Sequence, residues 1–336
     1  MKEAILFDKL NNLKVRCNLC NHRCIIPPDS FGICMVRQNK QGTLYSLVYD
    51  KIVAQHIDPI EKKPLFHYYP GSKSYSIATV GCNFRCKFCQ NSNIAQMPVD
   101  KGMIVGDNIS PEQIVNSAKK SGCKTISYTY TEPTIYYELA METGKLAHKE
   151  GIKNIFVSNG YMTKQAVDMS ADWLDAANID LKAYNDKFYK EICNSKLDFV
   201  LDTLKNMKSA GIFIEITTLL VPELNDDKKE LQKISSFIVN NLGPETPWHI
   251  SRYHPTYKML DRNSTPVKSL QLAREIGIKT GLRYVFTGNV PGDDGESTFC
   301  YKCGYPVIKR FGFSIDSYEI KSGNCPKCGV KIDVIE

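Results

Sequence analysis

The sequence predicts an α/β protein built on a partial or nearly closed (β/α) barrel of the TIM type, with a small N-terminal metal-binding module and a C-terminal zinc ribbon. The barrel is predicted because strand-like and helical runs alternate through the middle of the chain, and the two appendages because cysteines cluster at both ends. Alternating strand–helix units favour a parallel sheet with right-handed crossovers. At 336 residues the chain can bury one large core and carry small modules beside it.

The first module covers residues 1–70 and contains four cysteines within eighteen residues: Cys17, Cys20, Cys24 and Cys34. Four thiolates this close in sequence can fold around one metal centre, and both zinc and an auxiliary iron–sulfur cluster fit them. The short pairs and the lack of a typical ferredoxin spacing favour zinc. Four reduced thiols in a hydrophobic core are the alternative without a metal.

Residues 71–292 are predicted to form the barrel. Seven strands are expected at about 74–80, 124–130, 153–158, 177–182, 212–219, 247–253 and 282–287. The first long helix has Ser110 as its N-cap and Pro111 as its first residue, and another helix is expected from Pro133 to Glu150.

Three of these strands alternate polar and apolar residues, although parallel strands covered by helices are usually apolar throughout. On each of these strands every second residue points to the same face, and on one face most of these residues are polar. The three sets are Asn178, Asp180 and Lys182; Phe213, Glu215 and Thr217; and His249, Ser251 and Tyr253. We expect these faces to line a ligand-filled lumen that opens at the carboxyl ends of the strands. Their neighbours Ile179 and Leu181 should then point outward at the helices.

Residues 295–336 contain two Cys-x2-Cys-Gly sequences that are separated by twenty-one residues. Their cysteines are Cys300, Cys303, Cys325 and Cys328. Two such knuckles at this separation are typical of a zinc ribbon, in which four thiolates close a tetrahedral structural site.

A third cysteine run, Cys82-x3-Cys86-x2-Cys89, follows the first predicted barrel strand. Three thiolates can hold a cubane [4Fe–4S] cluster and leave its fourth iron without a protein ligand. A zinc site is the alternative, but it requires a fourth ligand, and no Cys or His lies within fourteen residues on either side. The run therefore predicts a cluster with an open iron.

This run resembles the cluster motif of the radical S-adenosylmethionine (SAM) superfamily, and longer strings resemble its AmmeMemoRadiSam branch, which is similar to glycyl-radical-enzyme activases. Those strings are Asp58–Phe66, Tyr128–Thr134, Val157–Gly160, Asp180–Lys182, Trp248–His254 and Gly288–Gly292. The resemblance implies that the open iron binds SAM and that an electron from the cluster cleaves it. The resulting 5′-deoxyadenosyl radical would abstract hydrogen from a substrate.

The resemblance also implies which residues contact SAM: Phe88, Glu132, Ser158, Asn159, Asp180, Lys182 and His254. Phe88 would offer its backbone to adenine, and Glu132 would receive the methionine ammonium, although both glycines of the usual motif are missing. Simpler roles stay open: packing for Phe88, a helix-end charge for Glu132, and a structural role for His254. Asp180 and Lys182 could instead form an internal salt bridge.

Substrate and partners follow from the resemblance alone. The branch implies modification of a peptide, RNA or small molecule together with AMMECR-type and Memo-type proteins. The alternatives are an activase that acts on a glycyl radical enzyme and a metal-binding scaffold without catalysis. An enzyme of this kind needs an electron donor of the flavodoxin or ferredoxin type.

Composition narrows the choice of partners. The formal net charge is +7, spread along the chain without a long basic run. Thiolate-bound metal centres would lower it to about +2, so charge does not argue for nucleic acid, although RNA binding stays open. No apolar run reaches membrane-spanning length, and the N-terminus lacks a signal-peptide pattern. Thirteen cysteines indicate metals rather than disulfides, and we expect a reducing cytoplasm.

Overall fold

The centre of the protein is an eight-stranded sheet. A computed structural model describes residues 1–290 and 294–336. The strands are β1 Ala54–Pro59, β2 Lys73–Ala78, β3 Thr125–Tyr128, β4 Lys153–Ser158, β5 Ala176–Asp180, β6 Phe213–Leu220, β7 Trp248–Arg252 and β8 Val285–Gly288. They lie side by side in chain order. Strands β2 to β8 are parallel, and β1 pairs with β2 in the antiparallel direction.

This topology confirms a mostly parallel sheet made of seven consecutive strands. The outer strands β1 and β8 have no hydrogen bonds to each other in the described part of the chain, so closure into a full barrel is not observed. Strand β1 also lies within the segment that the sequence assigned to the N-terminal module, so the main sheet reaches back to Ala54.

Helices connect the parallel strands. The longer ones are α1 Pro111–Lys120, α2 Tyr137–Lys149, α3 Lys164–Asp168, α4 Leu197–Ser209, α5 Lys228–Asn241 and α6 Val267–Thr280. Helix α1 begins as predicted, because the Ser110 side chain accepts from the backbone of Gln113 and the Gln113 side chain accepts from Ser110. The helix expected from Pro133 starts as a 3-10 turn over Pro133–Tyr136 and continues as α2.

Shorter helical segments lie in the connections. They are Asn11–Leu13, Ile60–Lys62, Ser92–Ala95, Met97–Asp100, Asp186–Phe188, Tyr189–Cys193 and Asp294–Glu296. No helix among the described residues is long and apolar enough to cross a membrane.

The N-terminal segment forms small antiparallel sheets. Their strands are Lys2–Glu3, Thr43–Ser46 and Arg37–Lys40 in one sheet, and Phe7–Lys9, Val15–Cys17 and Ile25–Ile26 in another. A further pair, Lys51–Ile52 with Asp107–Asn108, lies beside the main sheet. The segment is anchored to the barrel by a buried ion pair, in which Arg37 Nη2 lies 2.6 Å from Glu138 Oε2 on α2.

The C-terminal segment forms a three-stranded sheet from Thr298–Phe299, Pro306–Phe311 and Ser314–Tyr318. The string Gly288–Gly292 joins it to β8; of this string, Pro291 and Gly292 lie outside the described residues, as does the predicted barrel end at residue 292. Arg310 fastens the segment to the barrel, since its Nη2 donates to the carbonyl of Phe66 at 2.7 Å.

The expectation of a ligand-filled lumen is wrong for the inner part of the barrel, because the chain itself fills that space. The Glu215 carboxylate accepts the backbone N–H groups of Phe66 and His67 at 3.0 and 2.8 Å, and His249 lies 2.6 Å from it. Asn178 donates to the carbonyl of Pro64 at 2.7 Å. The segment Pro64–His67 therefore occupies the inner part of the barrel, and the open pockets lie nearer the strand ends.

The outward orientation of Ile179 is confirmed by its contacts. Gly160 follows β4 with φ +67°, and a Cβ added there would lie 2.7 Å from Ile179 Cγ2 and 3.4 Å from Val200 Cγ1 on α4. Ile179 thus fills the space between the sheet and α4. Leu181, one residue beyond the end of β5, is also fully buried.

The turn at Gly160 gives a stability prediction with an internal control. Gly122 has nearly the same φ, +66°, but nothing lies within 4 Å of an added Cβ. Gly122→Ala should cost about 1–2 kcal/mol for the left-handed backbone. Gly160→Ala should cost about 1–3 kcal/mol more, because the methyl group overpacks Ile179. Urea unfolding of both variants measures the difference, and equal losses would contradict the packing assigned to Gly160.

Candidate active site

A large open pocket of about 1660 Å3 lies at the carboxyl ends of the parallel strands. Residues that follow β3, β4 and β5 line it, together with the cysteine run after β2. Six of the seven predicted SAM contacts are brought together here: Phe88, Glu132, Ser158, Asn159, Asp180 and Lys182. Ligands of open α/β sheets bind at this edge, so the position agrees with the general rule for such folds.

The cysteine run forms a loop that is fixed by backbone hydrogen bonds. Arg85 N donates to the carbonyl of Cys193 at 2.9 Å, and Lys87 N donates to that of Ile192 at 3.0 Å. The Arg85 guanidinium also donates to the carbonyl of Cys82 at 2.8 Å. The loop begins at Gly81, whose φ of +106° disfavours any residue with a Cβ. The three thiols are therefore presented by a rigid segment.

The three thiols of this run face one pocket without forming a compact group. Cys82, Cys86 and Cys89 line the same pocket. They are not part of any group of three ligand atoms within 4.8 Å of one another in the described part of the chain. Burial raises the pKa of the Cys82 thiol, and it raises that of Cys89 to about 11. Binding of a metal cluster must therefore displace protons from these thiols.

Glu132 is a fully buried carboxylate that organises the turn after β4. It accepts from Thr134 N and Oγ1, from Ser158 Oγ at 2.8 Å and from Asn159 N at 2.8 Å. Burial raises its pKa, although these donors act in the opposite direction. The capping alternative is confirmed, since Glu132 caps the turn that begins at Pro133. Contact with a methionine ammonium stays a prediction.

Asn159 connects this turn to the cysteine loop. Its Nδ2 lies 2.7 Å from Asn83 Oδ1 and 3.8 Å from Cys82 Sγ, and its Oδ1 accepts from Tyr161 N at 3.2 Å. The Ser158–Asn159 turn and the first cysteine are thus held in one hydrogen-bonded arrangement.

Asp180 and Lys182 form the internal salt bridge that the sequence left open, with Lys182 Nζ 2.7 Å from Asp180 Oδ2. Burial lowers the pKa of Lys182, but the Asp180 carboxylate and the nearby thiols outweigh that effect, so the net shift is upward. Lys182 Nζ also lies 5.7 Å from the ring centre of Phe88. The pair lines the pocket and offers it one cation and one anion.

His254 is the predicted contact that lies apart from the others. It is exposed, and its Nδ1 lies 3.0 Å from Ser264 Oγ. It lines a second open pocket of about 1850 Å3, which adjoins the first. Residues that line both pockets are Pro64, Gln90, Thr217, Ser251, Asn289 and Phe313. The two pockets form one continuous cavity, and His254 lies in its outer part.

Sequence reasoning placed Thr217 on the polar face of its strand but did not connect Cys193 with the cysteine loop. Thr217 has a buried hydroxyl without a hydrogen-bond partner at the boundary of the two pockets. The neighbouring Cys193 is the largest cause of the raised pKa of the Cys86 thiol, ahead of burial. The alternation along β6 signals Thr217, but no pattern signals Cys193, which lies more than a hundred residues from its partner.

The C-terminal cysteines form a compact group. Cys300, Cys303, Cys325 and Cys328 place their Sγ atoms within 4.8 Å of one another. The pair Cys300–Cys328 is 3.6 Å apart and the pair Cys303–Cys325 is 3.7 Å apart. Tetrahedral zinc with Zn–S bonds of about 2.3 Å separates its thiolates by about 3.8 Å. The group can therefore bind one metal ion.

A loop with three cysteines lies at the carboxyl ends of the parallel strands, beside an open cavity. This combination of fold and site is that of an iron–sulfur enzyme. The family model described as the radical SAM superfamily matches residues 76–234. The chain belongs to this superfamily, whose members use a [4Fe–4S] cluster and SAM. It is therefore a radical SAM enzyme.

Known relatives agree with this assignment. An uncharacterized protein of Methanocaldococcus jannaschii, MJ0808, is 45% identical to this chain over 337 residues, and the match spans the full length of both proteins. The pyruvate formate-lyase-activating enzyme of Clostridium pasteurianum is 24% identical over 54% of this chain and 80% of its own. A radical SAM methyltransferase from Sphaerobacter thermophilus shares the fold with a TM-score of 0.51 and 14% identity, over 66% of this chain and 67% of its own.

The C-terminal group gives a metal-content prediction. Replacing Cys300 and Cys328 by serine should remove one zinc per chain and lower the thermal unfolding temperature, since binding energy at a structural zinc site is also folding energy. Zinc is measured by mass spectrometry of the purified protein. Cys123→Ala, which removes a buried thiol outside the group, is the control and should keep its zinc. Unchanged zinc in a folded double variant would contradict the assignment.

Proposed function

We propose that Cys82, Cys86 and Cys89 hold the [4Fe–4S] cluster and that the enzyme abstracts hydrogen from a substrate in the outer part of the cavity. The observation that carries this proposal is the convergence of the three thiols and six predicted SAM contacts on one pocket. When bound, the cluster and SAM supply a 5′-deoxyadenosyl radical. The residues around them bind, orient and shield the reacting groups.

Each residue has a role that follows from its charge and contacts. Lys182 is placed to pair with the methionine carboxylate and Asp180 to bind ribose hydroxyls or the ammonium. Ser158 and Asn159 face the pocket from a turn that Glu132 holds in place. A turn fixed in this way places its polar groups before the cofactor arrives, which reduces the entropy cost of binding.

The substrate would occupy the outer part of the cavity, beside His254. This space is open, and exposed aromatic rings from the C-terminal segment, Phe311 and Phe313, form one side of it. An open chamber with aromatic and polar walls suits an extended group such as a peptide segment.

Two classes of substrate fit this proposal. Modification of a peptide, RNA or small molecule with AMMECR-type and Memo-type partners follows from the resemblance of the long strings. Activation of a glycyl radical enzyme is favoured by the similarity to the Clostridium pasteurianum activating enzyme. In either case we propose a flavodoxin- or ferredoxin-type electron donor and a cytoplasmic location, because the open cluster is sensitive to oxygen.

The cluster assignment is tested by removing its ligands. The variant with Cys82, Cys86 and Cys89 replaced by alanine should form no 5′-deoxyadenosine from SAM and dithionite, because no iron would be positioned to bind the cofactor. Chromatography of the reaction measures this product. Cys123→Ala is the control and should keep full activity. Reductive cleavage of SAM by the triple variant would overturn the proposal.

Three consecutive residues at the end of β5, Asp180 to Lys182, are expected to respond differently to substitution, because two face the pocket and one faces the core. Lys182→Met and Asp180→Asn should weaken SAM binding by roughly 1.5–3 kcal/mol, the value of a charge-assisted hydrogen bond, with little loss of stability. Leu181→Ala should instead lower the free energy of unfolding by about 2–5 kcal/mol, because it empties a core site. Equilibrium SAM binding and thermal unfolding are measured for all three. Weaker binding in Leu181→Ala alone would show that the residues assigned to the pocket are wrong.

A further inference from the structure

The four N-terminal cysteines converge on one small pocket. Its walls include the side chains of Cys17, Cys20, Cys24 and Cys34. All four cysteines are free thiols, and Cys17 and Cys34 are buried. Four thiols that face one space are a ligand set that a metal centre can bind once they lose their protons.

These four thiols are not gathered as tightly as a single zinc ion would hold them. Zinc holds four thiolates about 3.8 Å apart, and the C-terminal cysteines match this spacing. No three of the N-terminal cysteines form a group with Sγ atoms within 4.8 Å of one another in the described chain. Cys82, Cys86 and Cys89 likewise form no such compact group in the described chain. In a cubane each thiolate binds a different iron, so the sulfur atoms stand farther apart.

Buried donors without partners lie at the same pocket. Arg37 is only 2% exposed, and its Nε and Nη1 have no hydrogen-bond partner in the described structure. Asn83 is 1% exposed, and its Nδ2 also lacks a partner. Both side chains line the pocket. Unsatisfied buried donors are costly, and an anionic group between them would remove that cost.

We infer that Cys17, Cys20, Cys24 and Cys34 hold a second [4Fe–4S] cluster, and not the zinc that their sequence spacing favours. Because four thiolates occupy all four irons, this cluster has no free iron for SAM or substrate. Its chemistry is the reversible uptake of one electron, from the 2+ to the 1+ core, supplied by a low-potential donor of the flavodoxin or ferredoxin class. Arg37 and Asn83 would donate hydrogen bonds to its sulfur atoms and stabilise the reduced form.

The position of this pocket is next to the radical site. Asn83 lines the N-terminal pocket, and its Oδ1 accepts from Asn159, which lines the SAM pocket, at 2.7 Å. The cysteine segment also pairs with the chain just after that turn, where Asn21 N donates to the carbonyl of Tyr161 at 3.0 Å. One pair of hydrogen-bonded side chains therefore separates the two cluster sites. The inference does not depend on the proposed SAM contacts.

The decisive experiment uses the full chain without the radical cluster. The variant with Cys82, Cys86 and Cys89 replaced by alanine is purified and reconstituted without oxygen. It should hold about four irons, four sulfides and one zinc per chain, and its reduced form should give a [4Fe–4S]1+ electron paramagnetic resonance signal that SAM does not change. Two zinc ions and no iron, or no metal at the N-terminal site, would overturn the inference.

A second arm covers the case in which that variant does not fold. Wild-type protein should contain about eight irons in two cubanes by Mössbauer spectroscopy, and replacing Cys17 and Cys34 by serine should remove about four. The remaining signal should still respond to SAM. Cys123→Ala should keep all eight. Four irons in the wild type would overturn the second cluster, whereas loss of SAM cleavage with eight irons retained would contradict only the proposed function.

The role of Arg37 is tested through the reduction potential. In Arg37→Met/Glu138→Gln both charges of the buried pair are removed and the side-chain volumes are kept. The potential of the N-terminal cluster should become more negative, while that of the SAM-responsive cluster stays the same. An unchanged N-terminal potential would refute the contact between Arg37 and the cluster.

Discussion

The buried carboxylate of Glu215 is the interaction on which the architecture depends. It lies inside the barrel without exposure to solvent and accepts two backbone N–H groups from the segment Pro64–His67. Burial raises the pKa of Glu215. The hydrogen bond to His249 and the nearby His67 lower it by more than burial raises it, so the net shift is downward. Because the Glu215 carboxylate accepts these hydrogen bonds, it holds the segment Pro64–His67 in place inside the barrel. The inner barrel is therefore filled by polypeptide, and the open cavity lies nearer the carboxyl ends of the strands.

The same segment carries the C-terminal module. The carbonyl of Phe66 accepts from Arg310, and His67 Nδ1 lies 2.8 Å from the carbonyl of Asp333. Arg310 has no solvent exposure on its side chain and lies 3.6 Å from the equally buried Glu61. Such a pair is costly to break, since either partner alone would be an uncompensated buried charge. The C-terminal segment thus stabilises one wall of the outer pocket, which Phe311 and Phe313 line.

Local patterns in the sequence were sufficient for much of this structure. Alternating strands and helices predicted the parallel sheet, the Ser110–Pro111 pair predicted the start of α1, and the spacing of Cys300 to Cys328 predicted a compact metal site. Polarity along β6 predicted an interior polar environment but not its occupant. Glu215 binds backbone groups about 150 residues away, and a contact at that distance has no local signature. The contact of Cys193 with the cysteine loop, more than a hundred residues earlier in the chain, lacks a local signature for the same reason.

Metal centres show this limit most clearly. The spacing of cysteines in a sequence is a number of residues, whereas metal binding depends on the distances between sulfur atoms in space. Loops of equal length can place their thiols close together or far apart. At the C-terminus two tight knuckles bring four sulfur atoms within bonding range of one ion. At the N-terminus the cysteines lie in separate strands and turns, packed against Arg37, Asn83 and the turn after β4. We infer that packing against the barrel, and not the local sequence, sets how far apart these thiols lie and therefore which metal centre they can hold.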